Sequence, residues 1–216
     1  MSLGCAAATQ ARAESWFQFE AGLGGAFVKD MGDGTWIQQG APNNRERQKS
    51  VAVMAGITGQ LYQHGPWDVR YHADYIYIGN FSASVDGVPD ANYDPVKHRM
   101  VNLPTQMRYS PFSGQGHVQG VPLTLDAGYT YRGWRLGAEA GAWVYWQTWH
   151  ETLYNLADQW QDLSHRTSPQ VGFVVGASVE RGRLSVSYRY YQISARWNPY
   201  PGLATGAHVL MVRYRF

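Results

Sequence analysis

The sequence predicts an all-β fold, an eight-stranded antiparallel up-and-down β-barrel that crosses a membrane with its strands. Three observations carry this expectation. Segments of about ten residues alternate apolar and polar side chains along the chain. Their apolar faces hold no Asp, Glu, Lys or Arg and end in aromatic residues, whereas the opposite faces carry the charges and much of the glycine. Short and long connections alternate strictly between the segments.

The first strand runs from about Ser15 to Lys29, with Phe17, Phe19, Ala21, Leu23, Gly25 and Phe27 on one face and Gln18, Glu20, Gly22 and Gly24 on the other. The second, Ser50 to Leu61, sets Val51, Val53, Ala55, Ile57 and Leu61 against Ser50, Thr58 and Gln60. His64-Gly65-Pro66 marks a turn. In the third strand Trp67, Val69, Tyr71, Ala73, Tyr75 and Tyr77 oppose Asp68, Arg70, His72 and Asp74. The fourth is clearest from Val121 to Tyr131, with Leu123, Leu125, Ala127 and Tyr129 opposite Thr124, Asp126 and Gly128. Arg132-Gly133 turns into the fifth, where Trp134, Leu136, Ala138, Ala140, Ala142, Val144 and Trp146 oppose Arg135, Glu139, Trp143 and Tyr145. The sixth carries Val171, Phe173, Val175, Ala177 and Val179 against Gln170, Gly172, Ser178 and Glu180. After Arg181-Gly182 the seventh sets Leu184, Val186, Tyr188 and Tyr190 against Ser185, Ser187 and Arg189. The eighth runs from His208 to Phe216, with Arg213 and Arg215 opposite Tyr214 and Phe216.

Tight connections fall near residues 62–66, 132–133 and 181–182, and long ones near 30–49, 79–117, 149–168 and 194–206. Even parity puts both chain ends on the short-turn side. Pro122 fits least well, because proline donates nothing to a ladder. A soluble barrel would also alternate, with its apolar face inside. Aromatics gathered at both strand ends, Phe17, Trp67, Tyr131 and Trp134 at one and Phe27, Tyr75, Tyr77 and Trp146 at the other, favour lipid outside.

The chain has 216 residues and a formal charge of +2, which fits one domain and argues against a nucleic-acid partner. No apolar run is long enough for a transmembrane helix. Cys5 is the single cysteine, and Ser2 stands where a lipoprotein signal needs a large apolar residue. Ala11-Arg12-Ala13 reads instead as a cleavage site. Residues 1–13 are then the remnant of a signal peptide and 14–216 a single barrel domain.

The eighth strand carries a resemblance. Leu210, Val212, Tyr214 and a terminal Phe216 look like the assembly signal of bacterial outer-membrane barrels. With strand parity, aromatic girdles and loop asymmetry, nearly all of the mature chain resembles the small eight-stranded outer-membrane β-barrel class typified by the OmpA transmembrane domain and OmpX. The resemblance implies the bacterial outer membrane, contact with outer-membrane lipid and lipopolysaccharide, delivery by the outer-membrane assembly machinery, and a monomer. It reaches no family with an assigned activity, and no domain following the barrel is expected.

An eight-stranded barrel is just wide enough for side chains to fill. Glu20, Asp74, Asp126, Glu139 and Glu180 face inward with Arg70, Arg135, Arg189 and Arg213, and should form a paired network in a solid polar core rather than an ion path. No cofactor or metal is expected, and no catalytic residue is assigned. His150-Glu151 begins a zinc-protease pattern that Tyr154 breaks. His150, Asp162, Ser164 and His165 read as a chance loop cluster. Arg45, Arg47 and Lys49 lie near the outer rim, where they could meet lipopolysaccharide phosphates. Trp36, Arg45, Arg47, Trp160 and Trp197 are candidate contacts in the loops, and Phe81 is counted with the exposed loop aromatics. The sequence thus favours a non-enzymatic surface protein whose loops meet a partner such as a host surface, a phage or lipopolysaccharide. A lipid A-modifying enzyme and a narrow channel are the alternatives.

Overall fold

The computed structural model describes residues 17–29, 45–87, 93–94, 99–100, 110–154, 160–193 and 204–216. Residues 1–13, expected from the sequence to be a signal-peptide remnant, lie outside these residues, as do Trp36 and Trp197. The strands are β1 (Gln18–Lys29), β2 (Arg45–Arg47), β3 (Lys49–His64), β4 (Trp67–Gly87), β5 (Tyr93–Asp94), β6 (Arg99–Met100), β7 (Ser110–Tyr131), β8 (Trp134–Tyr154), β9 (Trp160–Arg166), β10 (Gln170–Arg181), β11 (Leu184–Gln192) and β12 (Gly206–Arg215). Eight of them close a ring in the order β1-β3-β4-β7-β8-β10-β11-β12, with β12 pairing back onto β1. Every pairing in the ring is antiparallel. No described helix is long and apolar enough to cross a membrane, which leaves crossing by strands untouched.

The turn-side hairpins follow from backbone chemistry. Tyr131 pairs with Trp134, so Arg132 and Gly133 form a two-residue turn with φ of 50° and 78°. Two positive φ values define the type I′ turn, whose twist matches that of the strands it joins. Arg181 pairs with Leu184, and Gly182 takes a φ of 65° at the first turn position.

Closure decides which face is inside. The apolar rows point outward: Leu23, Val171 and Leu210 are 62%, 69% and 60% exposed, and similar aliphatics ring the barrel. A continuous apolar belt of this kind far exceeds the patches that soluble monomers expose. Aromatics cluster at its two ends. Trp67 lies 4.8 Å from Tyr129 and Tyr214 5.1 Å from Phe216 at the turn side; Tyr190 lies 4.9 Å from His208 at the loop side. From Trp134 to Trp146 on β8 the chain covers about 40 Å, or about 30 Å along a barrel axis at the usual strand tilt.

Three expectations need correction. Ladders run well into the segments read as loops: β7 has 22 residues and β8 has 21, against 10 in β12. β2, the outer part of β4, the outer parts of β7 and β8, and β9 pair side by side into a sheet raised above one side of the ring. Phe81 is not an exposed loop aromatic. It is fully buried, because a β-bulge between Ile78 and Phe81, with Asn80 at φ 61°, adds one residue and swaps the faces of β4. Pro122 sits inside β7 opposite Trp143, and the β4–β7 ladder breaks there, between Ala73↔Leu123 and Ile76↔Gly120.

Third, the lumen is not polar throughout. Its turn-side half is ionic, but its loop-side half holds Val28, Ile76, Ile78, Val118, Val174, Trp143, Tyr145 and Tyr191, all buried. A lumen too narrow for bulk water packs apolar side chains as readily as paired charges.

Candidate functional site

The inward charges form two linked networks. In the first, Asp126, Arg135, Asp68, Arg70, Glu180 and Arg215 alternate as a chain. Arg135 meets Asp126 at 2.9 Å and Asp68 at 2.8 Å, Arg70 meets Asp68 at 2.7 Å and Glu180 at 2.8 Å, and Arg215 caps Glu180. In the second, the Arg189 guanidinium reaches Asp74 and Glu139, both at 2.7 Å, and Thr124 donates to Glu139. Glu20 lies 2.6 Å from His72 Nδ1 and 3.9 Å from Arg213. His72 Nε2 faces Asp126 at 3.7 Å, so this imidazole joins the two networks. Glycines make the space: a Cβ on Gly128 would lie 2.3 Å from the Arg135 guanidinium, and one on Gly137 would lie 2.4 Å from Asp126.

Glu20, Arg70, Asp74, Asp126, Arg135, Glu139, Glu180, Arg189 and Arg213 each have an opposite charge within 3.9 Å. Asp68 and Arg215 belong with them and were not singled out, although both share the inward parity of their strands. Ligand atoms of Glu20, His72 and Asp74 lie within 4.8 Å of one another, the spacing of a metal site. Arg189 and Arg213 already stand against these two carboxylates, so the group is met as an ion-pair cluster.

Above the ionic layer, Trp143 stacks on Tyr145 at 4.4 Å and meets Tyr191 edge-on at 4.8 Å. Trp143 Nε1 donates to the Gln192 carbonyl at 2.9 Å, and the Tyr145 hydroxyl donates to Gln170 at 3.0 Å. Large rings with satisfied polar atoms close the lumen here.

The raised sheet presents two different faces. Inside, Trp149 lies over Gly114 and Gly116, stacks with Phe81 at 6.2 Å, and donates to Glu151 at 2.7 Å. Outside, two polar rows cross five strands: Arg47, Ser82, Gln115, His150 and Ser164, then Arg45, Ser84, Ser113, Thr152 and Asp162. Arg45 and Arg47 are thus strand residues and not loop residues, and Trp160 opens β9 with 62% exposure. Leu210, Val212, Tyr214 and Phe216 line the outward face of β12 and its end.

A nucleophilic site would need a hydroxyl, an imidazole and an orienting carboxylate. His150 Nδ1 lies 2.8 Å from Ser164 Oγ, but the Asp162 carboxylate accepts from Thr152 at 2.6 Å, away from the imidazole. This pair works as part of a polar surface.

The fold is therefore an eight-stranded antiparallel up-and-down β-barrel. No family model matches the sequence, and no curated protein matches it. Solved structures that align with it include Ail, the attachment invasion locus protein of Yersinia pestis, in complex with the heparin analogue sucrose octasulfate. That match has 9% identity and a TM-score of 0.40, covering 94% of this chain and 100% of that one. A mutant of the Rh. blastica porin aligns at 8% identity and a TM-score of 0.23, over 93% of this chain and 99% of that one.

Proposed function

We propose that this chain is an integral protein of the bacterial outer membrane, a sealed barrel that anchors a raised sheet and its loops for contact with a partner at the cell surface. One observation carries the reading. The ring closes with its uncharged apolar rows outward, over about the height of a hydrocarbon layer, and with its charges paired inside. A soluble barrel would be built the other way round. Aromatic girdles at the two ends of the belt suit the headgroup boundaries. The β12 row ending at Phe216 suits delivery by the outer-membrane assembly machinery, and the lipid contacts are those of the surrounding lipopolysaccharide leaflet.

The role is non-enzymatic in this reading, with His150 paired to Ser164 and Asp162 held by Thr152 on a polar surface. Gel mobility of outer-membrane fractions, heated and unheated in SDS, tests the anchor: a heat-dependent shift of protein found in that fraction is the expected result. A soluble periplasmic protein without a shift would overturn it. For the surface role, removing residues 88–109 should abolish contact with a partner cell or phage while the shift persists; undiminished contact would refute it.

A further inference from the structure

The outer face of the raised sheet contains a groove of about 490 Å³. Arg45 and Arg47 form one wall, His150 and Thr152 the other, with Ser84 and Gln115 between them. We propose that this groove binds the phosphorylated sugar headgroup of a glycolipid in the membrane leaflet around the barrel. The proposal rests on the outer-membrane reading and deepens it by assigning the lipid a site.

Arg45 and Arg47 stand two residues apart on one strand, so both project to the same side, and both are exposed. The guanidinium fork matches two oxygens of a phosphate, and two forks side by side match a doubly charged group. The rest of the lining is hydroxyl, amide and imidazole, which can donate to and accept from sugar hydroxyls. No large apolar side chain lines it, so it suits a headgroup and not an acyl chain. Asp162, which belongs to the outer row, lies at the far side from Arg45 and accepts a hydrogen bond from Thr152.

Position selects the membrane as the source. The groove opens sideways, on the same face as the lipid-facing rows, and not toward the strand tips. On β8, His150 stands four residues beyond Trp146, which is about 13 Å along the strand and about 10 Å along the axis. That is the height of a headgroup layer above the aromatic ring. Arg166 stands in the interval, over the Trp146 ring at 5.4 Å. A cation thus lies between the upper edge of the apolar belt and the two arginines of the groove. A ligand arriving from the medium would meet the tips of the sheet first.

The test uses the full chain refolded in detergent, with its heat shift recorded before any binding is measured. Native mass spectrometry then titrates bisphosphorylated lipid A, monophosphoryl lipid A and a soluble sulfated oligosaccharide. The expected result is retention of bisphosphorylated lipid A by the unmodified chain and about a tenfold loss of affinity in R45A/R47A with the heat shift intact. Removing one phosphate from the lipid, or raising salt from about 0.05 to 0.5 M, should weaken binding similarly. If the double variant loses its heat shift, R45Q and R47Q are measured singly, each expected to lower affinity about threefold. Binding of lipid A undiminished in a folded double variant would overturn the proposal. So would equally tight binding of the soluble oligosaccharide, which would move the source out of the membrane. Loss of the heat shift in the unmodified chain would instead overturn the barrel reading beneath it, and the proposal with it.

Discussion

Arg189 shows what lets a full charge sit inside a barrel. It is 1% exposed, yet its guanidinium meets Asp74 and Glu139, so the desolvation cost is offset by two charged hydrogen-bond partners. Truncating it leaves two carboxylates buried without their cation. Arg189→Ala should cost about 3–5 kcal/mol, whereas Arg215→Ala, at a half-open mouth, should cost about 1 kcal/mol or less. Urea unfolding of the refolded barrel measures both, and a cost below about 1 kcal/mol at Arg189 would refute the pairing as a source of stability. The inward direction of Arg189 was legible, since it alternates with Ser187 and Ser185. Its partners were not: they stand 115 and 50 residues away, and only the closure of the ring brings them together. The same distance in sequence hid the place of Asp68 and Arg215 in the first network.

Alternation gave the eight ring strands and their order at the scale of elements, because each hairpin neighbour follows in the chain and the even count lets β12 return to β1. It did not give the raised sheet. Beyond the belt both faces of a strand meet water or protein in part, so the apolar–polar contrast fades while the ladder continues. The bulge at Asn80 hides the rest, since one extra residue turns Phe81 and Ala83 inward where strict alternation would turn them out. Deleting Asn80 should therefore remove the bulge and make the ladder regular, with Phe81 still opposite Gly116 and Ser82 and Ser84 still on the outer face. The expected outcome is a raised sheet as resistant to trypsin as before, above a barrel that keeps its heat shift. Ready removal of the raised sheet by trypsin would show that Asn80 is not the extra residue that sets its faces.

For the whole molecule, the question is whether the barrel conducts. Sequence reading placed charges, glycines and the Trp143 and Tyr145 rings in the lumen but not Ile76, Ile78 or Val174, because runs such as Tyr75-Ile76-Tyr77-Ile78 and Phe173-Val174-Val175 are apolar on both faces and alternation assigned only one face to lipid. The structure stacks two unlike layers in series, ion pairs toward the turns and the Trp143–Tyr145–Tyr191 rings toward the loops, and in the proposed reading each is a seal. An ion crossing would have to displace a paired guanidinium and then shed its water in a ring-lined layer. The unmodified barrel should show no steady conductance in a planar bilayer. Because the seals act in series, Arg189→Ala should lower stability and yet stay silent, with the aromatic layer still closed. Trp143→Ala should stay silent as well, behind the intact ion pairs. A steady conductance from Arg189→Ala in a barrel that still shifts on heating would mean that the rings do not seal, and the closed anchor would have to be read as a gated channel.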